Sequence, residues 1–393
     1  MNELRIKFHT MSTFLGIGFG PIQTGIFLSG ACKGAFDRIV VAEVDASLCQ
    51  AVRESKGKIA INIAGREAVR VEEIAGVEIF NPLDPQDIAN LHDAAADADE
   101  IATALPSVKF YKDIASWLAE GFRKRPGHKR IIYTSENDNH AAEILSETLG
   151  RGFRNTYCLN TVIGKMSGVV DSEGCSKRGL MKLTPFADRG HLVEEFNKIL
   201  ISSCPDIDGR LVKGLHVKSD LLPFEEAKLY GHNAIHVLLG LHAMEKGLEY
   251  MCQLREHPSL MQDARDAFIN ECGKSLCRKW QGADSLFTEA GFKEYAEDLI
   301  ERMTNPLLED KVDRICRDLG RKLGWKDRII GTIRLVLDQG FNPEKLLRGA
   351  RIAAEKAFGK DRRQVAAGLE NLWAEDSPTK KEMDRIIRLL QSL

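Results

Sequence analysis

The sequence predicts an α/β domain followed by a mostly α-helical domain, and two patterns indicate this. Up to about residue 200, short and continuously apolar runs of strand length alternate with segments of helical period. From residue 228 onward almost every segment has helical period. Because 393 residues suffice for two domains, we place the boundary in the Pro- and Gly-containing connection 202–209. The predicted domains are 1–205 and 206–393.

The composition excludes several classes of protein. A hydrophobic content of 44% and a charged content of 28% are typical of globular domains. With 55 Lys+Arg against 57 Asp+Glu, there is no basic excess for binding nucleic acid or a lipid surface. No uncharged apolar run is long enough to span a membrane, and the apolar stretch near the amino terminus is too short for a signal peptide. We expect a cytoplasmic protein, monomeric or weakly dimeric, that acts on a small molecule.

The first domain opens with a glycine-rich turn between two strands. The segment Thr13–Gly25, TFLGIGFGPIQTG, begins as a strand, and a helical pattern that includes Leu28 follows it. The run Arg38–Asp45, RIVVAEVD, is apolar enough for a strand buried on both faces. Strand, turn, helix and strand in this order are the opening of a Rossmann-type dinucleotide-binding domain.

The turn offers the chemistry that a pyrophosphate needs. Gly18, Gly20 and Gly25 let the backbone approach the anion, and the start of the helix offers free N–H groups. Gln23 stands at the third glycine of the GxGxxG pattern, so the match is imperfect. Glu43, 25 positions after Gly18, would accept the ribose hydroxyls of NAD and repel the extra phosphate of NADP. The alternative, a glycine-rich turn that binds no nucleotide, stays open.

Further strands and helices continue the α/β pattern. Strands are predicted at 59–65, 77–82, 100–105 and 129–137, with a helix over 114–122. Residues just beyond the carboxyl ends of parallel strands line a ligand crevice, which places Glu136, Asn137 and Asn139 near the reactive end of a cofactor. A helix N-cap at Asn137 or Asn139 explains these residues equally well.

The second domain opens with KLYGHNAIH, Lys228–His236, at the start of an apolar segment that runs to Cys252. Such a segment predicts a buried helix, in which polar groups are costly unless they are paired or used. At 100° per residue, Lys228, Asn233 and His236 fall within an arc of roughly 140° and can face one cavity. His232 falls in the same arc, so periodicity does not choose between the two histidines.

Two other interpretations of this cluster remain. In the first, Lys228 lies along a helix end, Asn233 caps it and the histidines pack. In the second, His232 and His236 bind zinc at the spacing of a zincin helix. That motif requires Glu after the first histidine, where Asn233 stands, and the nine cysteines form no CxxC pair. We therefore predict no metal site.

Together these features resemble the polyol-specific long-chain dehydrogenase/reductase family, and within it the mannitol-1-phosphate 5-dehydrogenases. The K-x4-N-x2-H hallmark of the family matches Lys228, Asn233 and His236. The other matches occur in the family's order: GFGPIQTG at 18–25, Glu43, SEN at 135–137, RMTNPLLEDKVDRICRDLGRKL at 302–323 and DRII at 327–330. The resemblance covers nearly the whole chain, and it departs at Gln23 and at Gly164-Lys165, where the family has Asp-Arg.

The resemblance implies a metal-independent oxidoreductase that uses NAD. Lys228 would be the general base, Asn233 and His236 would donate hydrogen bonds to the alkoxide, and Asn137 would complete these contacts. Arg321, Lys322 and Arg328 are candidate phosphate ligands. The implied reaction interconverts mannitol 1-phosphate and fructose 6-phosphate. A mannitol 2-dehydrogenase or uronate reductase acting on an unphosphorylated substrate, and a non-catalytic NAD-binding protein, are the alternatives.

Overall fold

The computed structural model describes residues 11–392 and has two compact units, one ending at Leu221 and the other beginning at Leu222. The first ten residues, which entered the signal-peptide argument, lie outside the described residues. The predicted fold class is confirmed, because the first unit is α/β with a mostly parallel sheet and the second is mostly helical.

Within residues 11–392, the first unit contains twelve strands. They are β1 Thr13–Ile17, β2 Arg38–Ala42, β3 Ile59–Ala64, β4 Val69–Ile74, β5 Val77–Phe80, β6 Ala98–Thr103, β7 Arg130–Thr134, β8 Thr156–Val162, β9 Ser167–Asp171, β10 Arg189–Glu194, β11 Ile199–Ile201 and β12 Leu215–Val217.

The main sheet has eight strands in the order β12-β11-β8-β7-β6-β1-β2-β5. All neighbours are parallel except β8 and β11. Strand order reverses between β1 and β6, which is the switch point where such sheets bind ligands. Consecutive strand residues enter opposite cores: Phe14 and Val41 pack on one face, and Leu15 and Val40 on the other. Both faces are therefore covered, as the continuous apolar runs predicted.

Helices of the first unit cover these faces. The α-helices are α1 Ser29–Lys33, α2 Ala46–Glu54, α3 Ile88–Asp97, α4 Tyr111–Lys124, α5 Ala141–Leu149 and α6 Ser172–Arg178. A π-helix, Gln23–Leu28, precedes α1, and 3₁₀-helices occupy Val108–Phe110 and Ile207–Gly209.

A second sheet of four strands, in the order β4-β3-β10-β9, was not expected. The strand predicted at 59–65 is confirmed as β3, but it lies outside the main parallel sheet. Strand β3 instead pairs antiparallel with β4, which follows after a short turn, and parallel with β10. Strand β3 is buried along its whole length, so its apolar run could not indicate which sheet it joins.

The unit boundary lies 16 residues beyond the predicted one, at 221/222 instead of 205/206. The intervening residues complete the main sheet: β12 pairs with β11, and the Lys213 amide donates to the Gly30 carbonyl at 3.1 Å. The Pro- and Gly-containing connection at 202–209 is therefore a loop within the first unit.

The second unit is built from helices. Its α-helices are α7 Leu222–Glu226, α8 Ala234–Glu245, α9 Pro258–Asp266, α10 Lys274–Lys279, α11 Glu289–Met303, α12 Val312–Ile315, α13 Leu319–Lys322, α14 Ile330–Asp338, α15 Glu344–Phe358, α16 Arg362–Trp373 and α17 Lys380–Gln391. π-Helices occupy Ala227–Asn233 and Ala267–Gly273, and 3₁₀-helices occupy Met251–Glu256, Ser285–Phe287 and Ala374–Asp376. Within residues 11–392, we find no helix with the length and apolarity that a membrane span requires.

The central helix of this unit differs in its bounds from the prediction. Helical residues run without a break over 222–245, so Lys228 lies inside the helix and not at its start. The helix stops before Gly247, whose φ of +69° favours glycine, and not at Cys252. Since α8 buries residues on every side, among them Leu238, Leu239 and Leu241, the predicted burial of this helix is confirmed.

Glu271 lies in the second π-helix and anchors the start of α15. Its buried carboxylate accepts hydrogen bonds from the backbone N–H groups of Lys345 at 2.8 Å and Leu346 at 3.1 Å. Burial raises the pKa of Glu271 from its ordinary 4.5 to about 7, against the opposing effect of these N–H groups. The protonated acid is therefore favoured in the folded chain.

We predict that stability depends on pH through Glu271. Since its folded pKa is raised, its stabilising contribution is complete below about pH 4.5 and is lost as the pH rises through about 7, by about 3 kcal/mol in all. Glu271→Gln, which keeps an acceptor oxygen without the charge, should flatten this slope in urea unfolding between pH 5 and 8. Glu370→Gln, an exposed control, should leave it unchanged. Equal slopes for wild type and Glu271→Gln would contradict the prediction.

Candidate active site

The turn that carries Lys228 is π-helical and not α-helical. The π-helix Ala227–Asn233 replaces i→i+4 hydrogen bonds with i→i+5 bonds, so residues five apart lie one turn apart. Lys228 and Asn233 have this separation, whereas in an α-helix they would diverge by about 140°. The spacing K-x4-N thus matches the local helix type, and the two residues project from neighbouring turns of one helix face.

The environment of Lys228 favours the neutral amine. Burial and the nearby guanidinium of Arg328 lower the pKa of Lys228 to about 8, while Glu225 acts in the opposite direction. By solvent accessibility, the Lys228 residue as a whole is partly exposed. An amine with this pKa is neutral in about one molecule in ten at pH 7 and in about half of the molecules at pH 8.

The structure distinguishes the two histidines. His232 is 5% exposed, and burial, with further effects from His236 and Arg302, holds its pKa well below the usual range. His236 is partly exposed, and its ring centroid lies 6.1 Å from that of His232. His232 is therefore a neutral core residue, and His236 is the more exposed of the two histidines.

Asp310, a residue that the sequence analysis did not single out, accompanies His236. Its Oδ2 lies 3.1 Å from Nε2 of His236, and its Oδ1 accepts a hydrogen bond from Nε of Arg314 at 2.8 Å. Burial alone would raise the pKa of Asp310, but His236 and Arg314 outweigh burial and the pKa is lowered. Neither Nε2 nor Oδ2 completes a well-aligned hydrogen bond, although the two atoms are in close contact.

The three candidate phosphate ligands lie in different environments. Arg328 is 13% exposed and affects the pKa of both Lys228 and His232, which places it at the same site. Lys322 is buried and donates to the carbonyls of Ile315 and Arg317, so two of its three N–H donors are used within the chain. Arg321 is exposed and forms ion pairs with Asp318 and Asp327. Arg328 is thus the strongest of the three candidates.

No group of three or more His, Cys, Asp or Glu side chains within residues 11–392 has the geometry to hold a metal ion. His232 and His236 have no third ligand of these types in the described chain.

In the first unit, Gly18 and Gly20 have the properties that a phosphate-binding turn requires. Gly18 has a φ of +82°, and a Cβ there would lie 2.6 Å from the carbonyl oxygen of Ala104. A Cβ at Gly20 would meet nothing within 4 Å, so the backbone faces open space where an anion could approach. Gly25 differs, because a Cβ there would lie 2.6 Å from the Val193 side chain. Packing against β10 therefore accounts for Gly25.

Gln23 and Gly16 together explain the missing third glycine. The Gln23 side chain is completely buried, and a Cβ at Gly16 would lie 2.1 Å from its Nε2. The third glycine of such a turn normally allows the helix to pack closely on the first strand. In this chain the glycine is on the strand, at Gly16, and the side chain of Gln23 from the helix fills the space beside it. Neither polar atom of this carboxamide has a hydrogen-bond partner among residues 11–392.

The helix after the turn is also fixed to the second sheet. Oγ1 of Thr24 lies 2.9 Å from Nδ1 of the buried His191, whose ring makes an edge contact with Phe19. Burial, followed by the effect of Arg189, lowers the pKa of His191 to about 4, so this ring is neutral. The second sheet thus contacts the helix that follows the turn, through His191 of β10.

Glu43 follows β2 directly, as predicted, and is partly exposed. Its Oε1 accepts the N–H of Asp45 at 2.9 Å, which leaves Oε2 for a ligand. Because β1 and β2 are adjacent and parallel, Glu43 and the Gly18 turn emerge at the same edge of the sheet.

Glu136 and Asn137 follow β7 at that edge but differ in burial. Glu136 is buried and accepts hydrogen bonds from Oγ1 of Thr103 at 2.8 Å, the Leu105 N–H at 2.9 Å and the Tyr111 hydroxyl. Glu136 thus links the end of β7 to the end of β6 and to the start of α4. Asn137, in contrast, is exposed. The capping alternative is wrong, because α5 begins at Ala141 with His140 as its N-cap residue. The ligand role of Asn137 stays a prediction.

Gly164 and Lys165, the second departure from the family pattern, lie between β8 and β9. Lys165 is buried, and its Nζ is 3.4 Å from Oδ1 of Asn197. The chain therefore keeps a cation at this position but has no carboxylate at 164.

The close contact between Gly16 and Gln23 predicts strong coupling between these two positions. Gly16→Ala should reduce the free energy of unfolding by about 1–3 kcal/mol, because a buried side chain is forced to move. The double variant Gly16→Ala/Gln23→Gly should recover most of this loss in a double-mutant cycle followed by urea unfolding. Gly168→Ala, on a strand with open space around the new Cβ, is the control. Additive effects of the two single changes would refute the coupling.

Comparisons with known proteins agree with the residue patterns. Residues 220–388 match the family model described as the mannitol dehydrogenase C-terminal domain. A mannitol-1-phosphate 5-dehydrogenase of Bacillus licheniformis is 27% identical over 353 residues, which cover 87% of each chain. Another from Brevibacillus brevis is 28% identical over 351 residues, covering 87% of this chain and 84% of the relative.

Two solved structures share the fold. The mannitol 2-dehydrogenase of Pseudomonas fluorescens, solved with NAD and D-mannitol, superposes with a TM-score of 0.71 at 13% identity, covering 98% of this chain and 92% of that one. A D-sorbitol dehydrogenase in substrate-free form gives 0.74 at 16% identity, covering 96% and 92%. Residues 220–388 therefore match the mannitol dehydrogenase C-terminal domain, and over most of its length the chain is similar to mannitol-1-phosphate 5-dehydrogenases.

Proposed function

We propose that the chain is an NAD-dependent oxidoreductase that interconverts a polyol phosphate and a ketose phosphate, with mannitol 1-phosphate and fructose 6-phosphate as the pair. The observation that carries this proposal is Lys228, whose pKa is lowered to about 8 and which shares a π-helical turn with Asn233. The names of the relatives from Bacillus licheniformis and Brevibacillus brevis support the choice of substrate.

The residues of the first unit fit NAD as the cofactor. The open backbone at Gly20 and the positive φ of Gly18 provide a cradle for the pyrophosphate. The Glu43 carboxylate, whose Oε1 accepts the Asp45 N–H, would favour the ribose hydroxyls of NAD over the phosphate of NADP. When bound, the nicotinamide would accept or return the hydride.

Lys228 would perform the proton transfer. In the direction of oxidation, its neutral amine takes the proton of the reacting hydroxyl, and in the direction of reduction its ammonium returns that proton. The carboxamide N–H of Asn233, one π turn away, would donate to the oxygen on which negative charge develops. No step in this scheme requires a metal ion.

Arg328 would bind the phosphate of the substrate. A guanidinium suits the planar, bidentate recognition of phosphate oxygens. Asp327 accepts from the backbone N–H and from Nε of Arg328. Arg328 also lowers the pKa of Lys228. A bound phosphate would neutralise the charge of Arg328 and so raise the pKa of Lys228.

Lys228→Ala should reduce turnover by about 10²- to 10⁴-fold, the contribution typical of a positioned acid or base. The variant should bind NADH as wild type does, which a fluorescence titration measures. Separately, EDTA should leave the activity of wild type unchanged. Lys246→Ala, at an exposed lysine just beyond the same helix, is the matched control. Near-full activity of Lys228→Ala with fructose 6-phosphate, fructose and fructuronate, each tested with NADH, would exclude the lysine mechanism.

The two directions should have opposite pH profiles around the pKa of Lys228. Oxidation needs the neutral amine, so its kcat/KM should rise as the pH increases through about 8. Reduction needs the ammonium, so its kcat/KM should fall over the same interval. Initial rates between pH 6 and 10 in both directions measure this, and profiles of equal sign would contradict the proposed role.

Arg328→Gln should have two effects. The KM for fructose 6-phosphate should rise by about 10- to 100-fold, the value of a charged hydrogen bond, with little change for fructose. The inflection that reports Lys228 should also move to higher pH, because a neighbouring cation has been removed. Arg321→Gln, an exposed arginine that pairs with Asp318 and Asp327, is the control. A KM increase that is equal for both sugars would remove Arg328 as the phosphate ligand.

A further inference from the structure

Asp310 lies in the segment between α11 and α12 and is held there from several directions. Its carboxylate is 6% exposed, its Oδ1 accepts from Nε and Nη2 of Arg314 at 2.8 and 2.7 Å, and its carbonyl accepts the Met251 N–H at 2.9 Å. With Oδ1 engaged by Arg314, Oδ2 is directed to Nε2 of His236 at 3.1 Å. The carboxylate is thus held in close contact with Nε2, although the pair does not complete a well-aligned hydrogen bond.

A carboxylate at this position determines which ring nitrogen of His236 carries the proton. A neutral imidazole has one N–H and one lone pair, and the nitrogen facing an anion keeps the proton. His236 and Arg314 outweigh burial and lower the pKa of Asp310, so its carboxylate is ionised at neutral pH. An anionic Oδ2 at 3.1 Å from Nε2 favours a proton on that nitrogen over a proton on Nδ1. The lone pair of Nδ1 then points away from Asp310, because the two nitrogens lie on opposite edges of the ring.

We propose that Asp310 is a positioning residue that makes His236 a hydrogen-bond acceptor for a substrate hydroxyl. This refines the role that the family resemblance implies for His236, which is donation to the alkoxide. A neutral ring whose proton is held at Nε2 cannot donate from Nδ1. Donation to the reacting oxygen then falls to Asn233 and to the Lys228 ammonium, while Nδ1 of His236 accepts from a hydroxyl and orients the substrate. The inference rests on the proposed polyol–ketose function.

The local arrangement separates this role from a purely structural one. Arg314 has a half-exposed side chain and contacts Oδ1, whereas His236 contacts Oδ2. Removing Arg314 therefore disturbs the anchoring of Asp310 but leaves its contact with the imidazole. Asp313 is exposed and lies three residues away, so Asp313→Asn makes the same chemical change outside the contact.

The experiment compares wild type with Asp310→Asn, Arg314→Leu and Asp313→Asn. The ¹⁵N chemical shifts of the His236 ring, assigned with a His236→Gln variant, report which nitrogen is protonated. Wild type, Arg314→Leu and Asp313→Asn should show the proton on Nε2. Asp310→Asn should shift the population toward Nδ1–H, because the charge that favours Nε2 is gone. In the same variant kcat/KM for the ketose should fall about 10- to 100-fold, with unchanged NADH affinity.

Several results would overturn the inference. The first is a wild-type ring with its proton on Nδ1, and the second is a doubly protonated ring at pH 7. The third is an Asp310→Asn variant whose ring shifts and kcat/KM are the same as in wild type. An equal loss of activity in Arg314→Leu would also overturn it, since that would reduce Asp310 to a structural anchor. The tautomer is read without any substrate, so failure of the proposed reaction is seen separately as absent turnover in wild type.

Discussion

Burying the Lys228 ammonium costs free energy, which either loss of its proton or a neighbouring anion can reduce. In the second unit the pKa of Lys228 is lowered, so loss of the proton is made easier. Burial of the amine and the like charge of Arg328 both lower its pKa. Glu225, the carboxylate that opposes this effect, does not outweigh them. The π turn contributes in another way, since it brings Asn233 one turn from the amine without adding an anion that would restore its charge.

The first unit solves a packing problem in an unusual way. A helix that follows a phosphate-binding turn has to lie close to the first strand, and a glycine on the helix normally allows this. In this chain, Gly16 on the strand accommodates a buried glutamine from the helix. Thr24 and His191 fix the same helix to the second sheet. The geometry of the turn therefore depends on the contacts of Gln23 and Thr24. These contacts leave the backbone at Gly20 open to a ligand.

Much of the fold follows from the sequence, because burial on both faces produces long apolar runs that identify β1, β2, β6 and β7 and place Glu43 at a strand end. The second sheet was missed because the run of β3 has the same character, and partner choice depends on contacts distant in sequence. The π turn was missed because a 100° period presupposes an α-helix. Asp310 lies in a polar loop, where a carboxylate has no periodic signal, and only coordinates place it against His236.

The positive charges around Lys228 and His232 explain why a carboxylate beside His236 would be useful. Arg302, Lys228 and Arg328 disfavour protonation of His232, and Arg328 disfavours protonation of Lys228. An excess of positive charge suits a substrate that brings phosphate and develops an oxyanion. The same excess would leave the tautomer of His236 undetermined, because surrounding cations favour neither ring nitrogen. A single buried carboxylate at one edge of the ring removes that ambiguity, and Arg314 neutralises its far oxygen so that the site keeps its positive character.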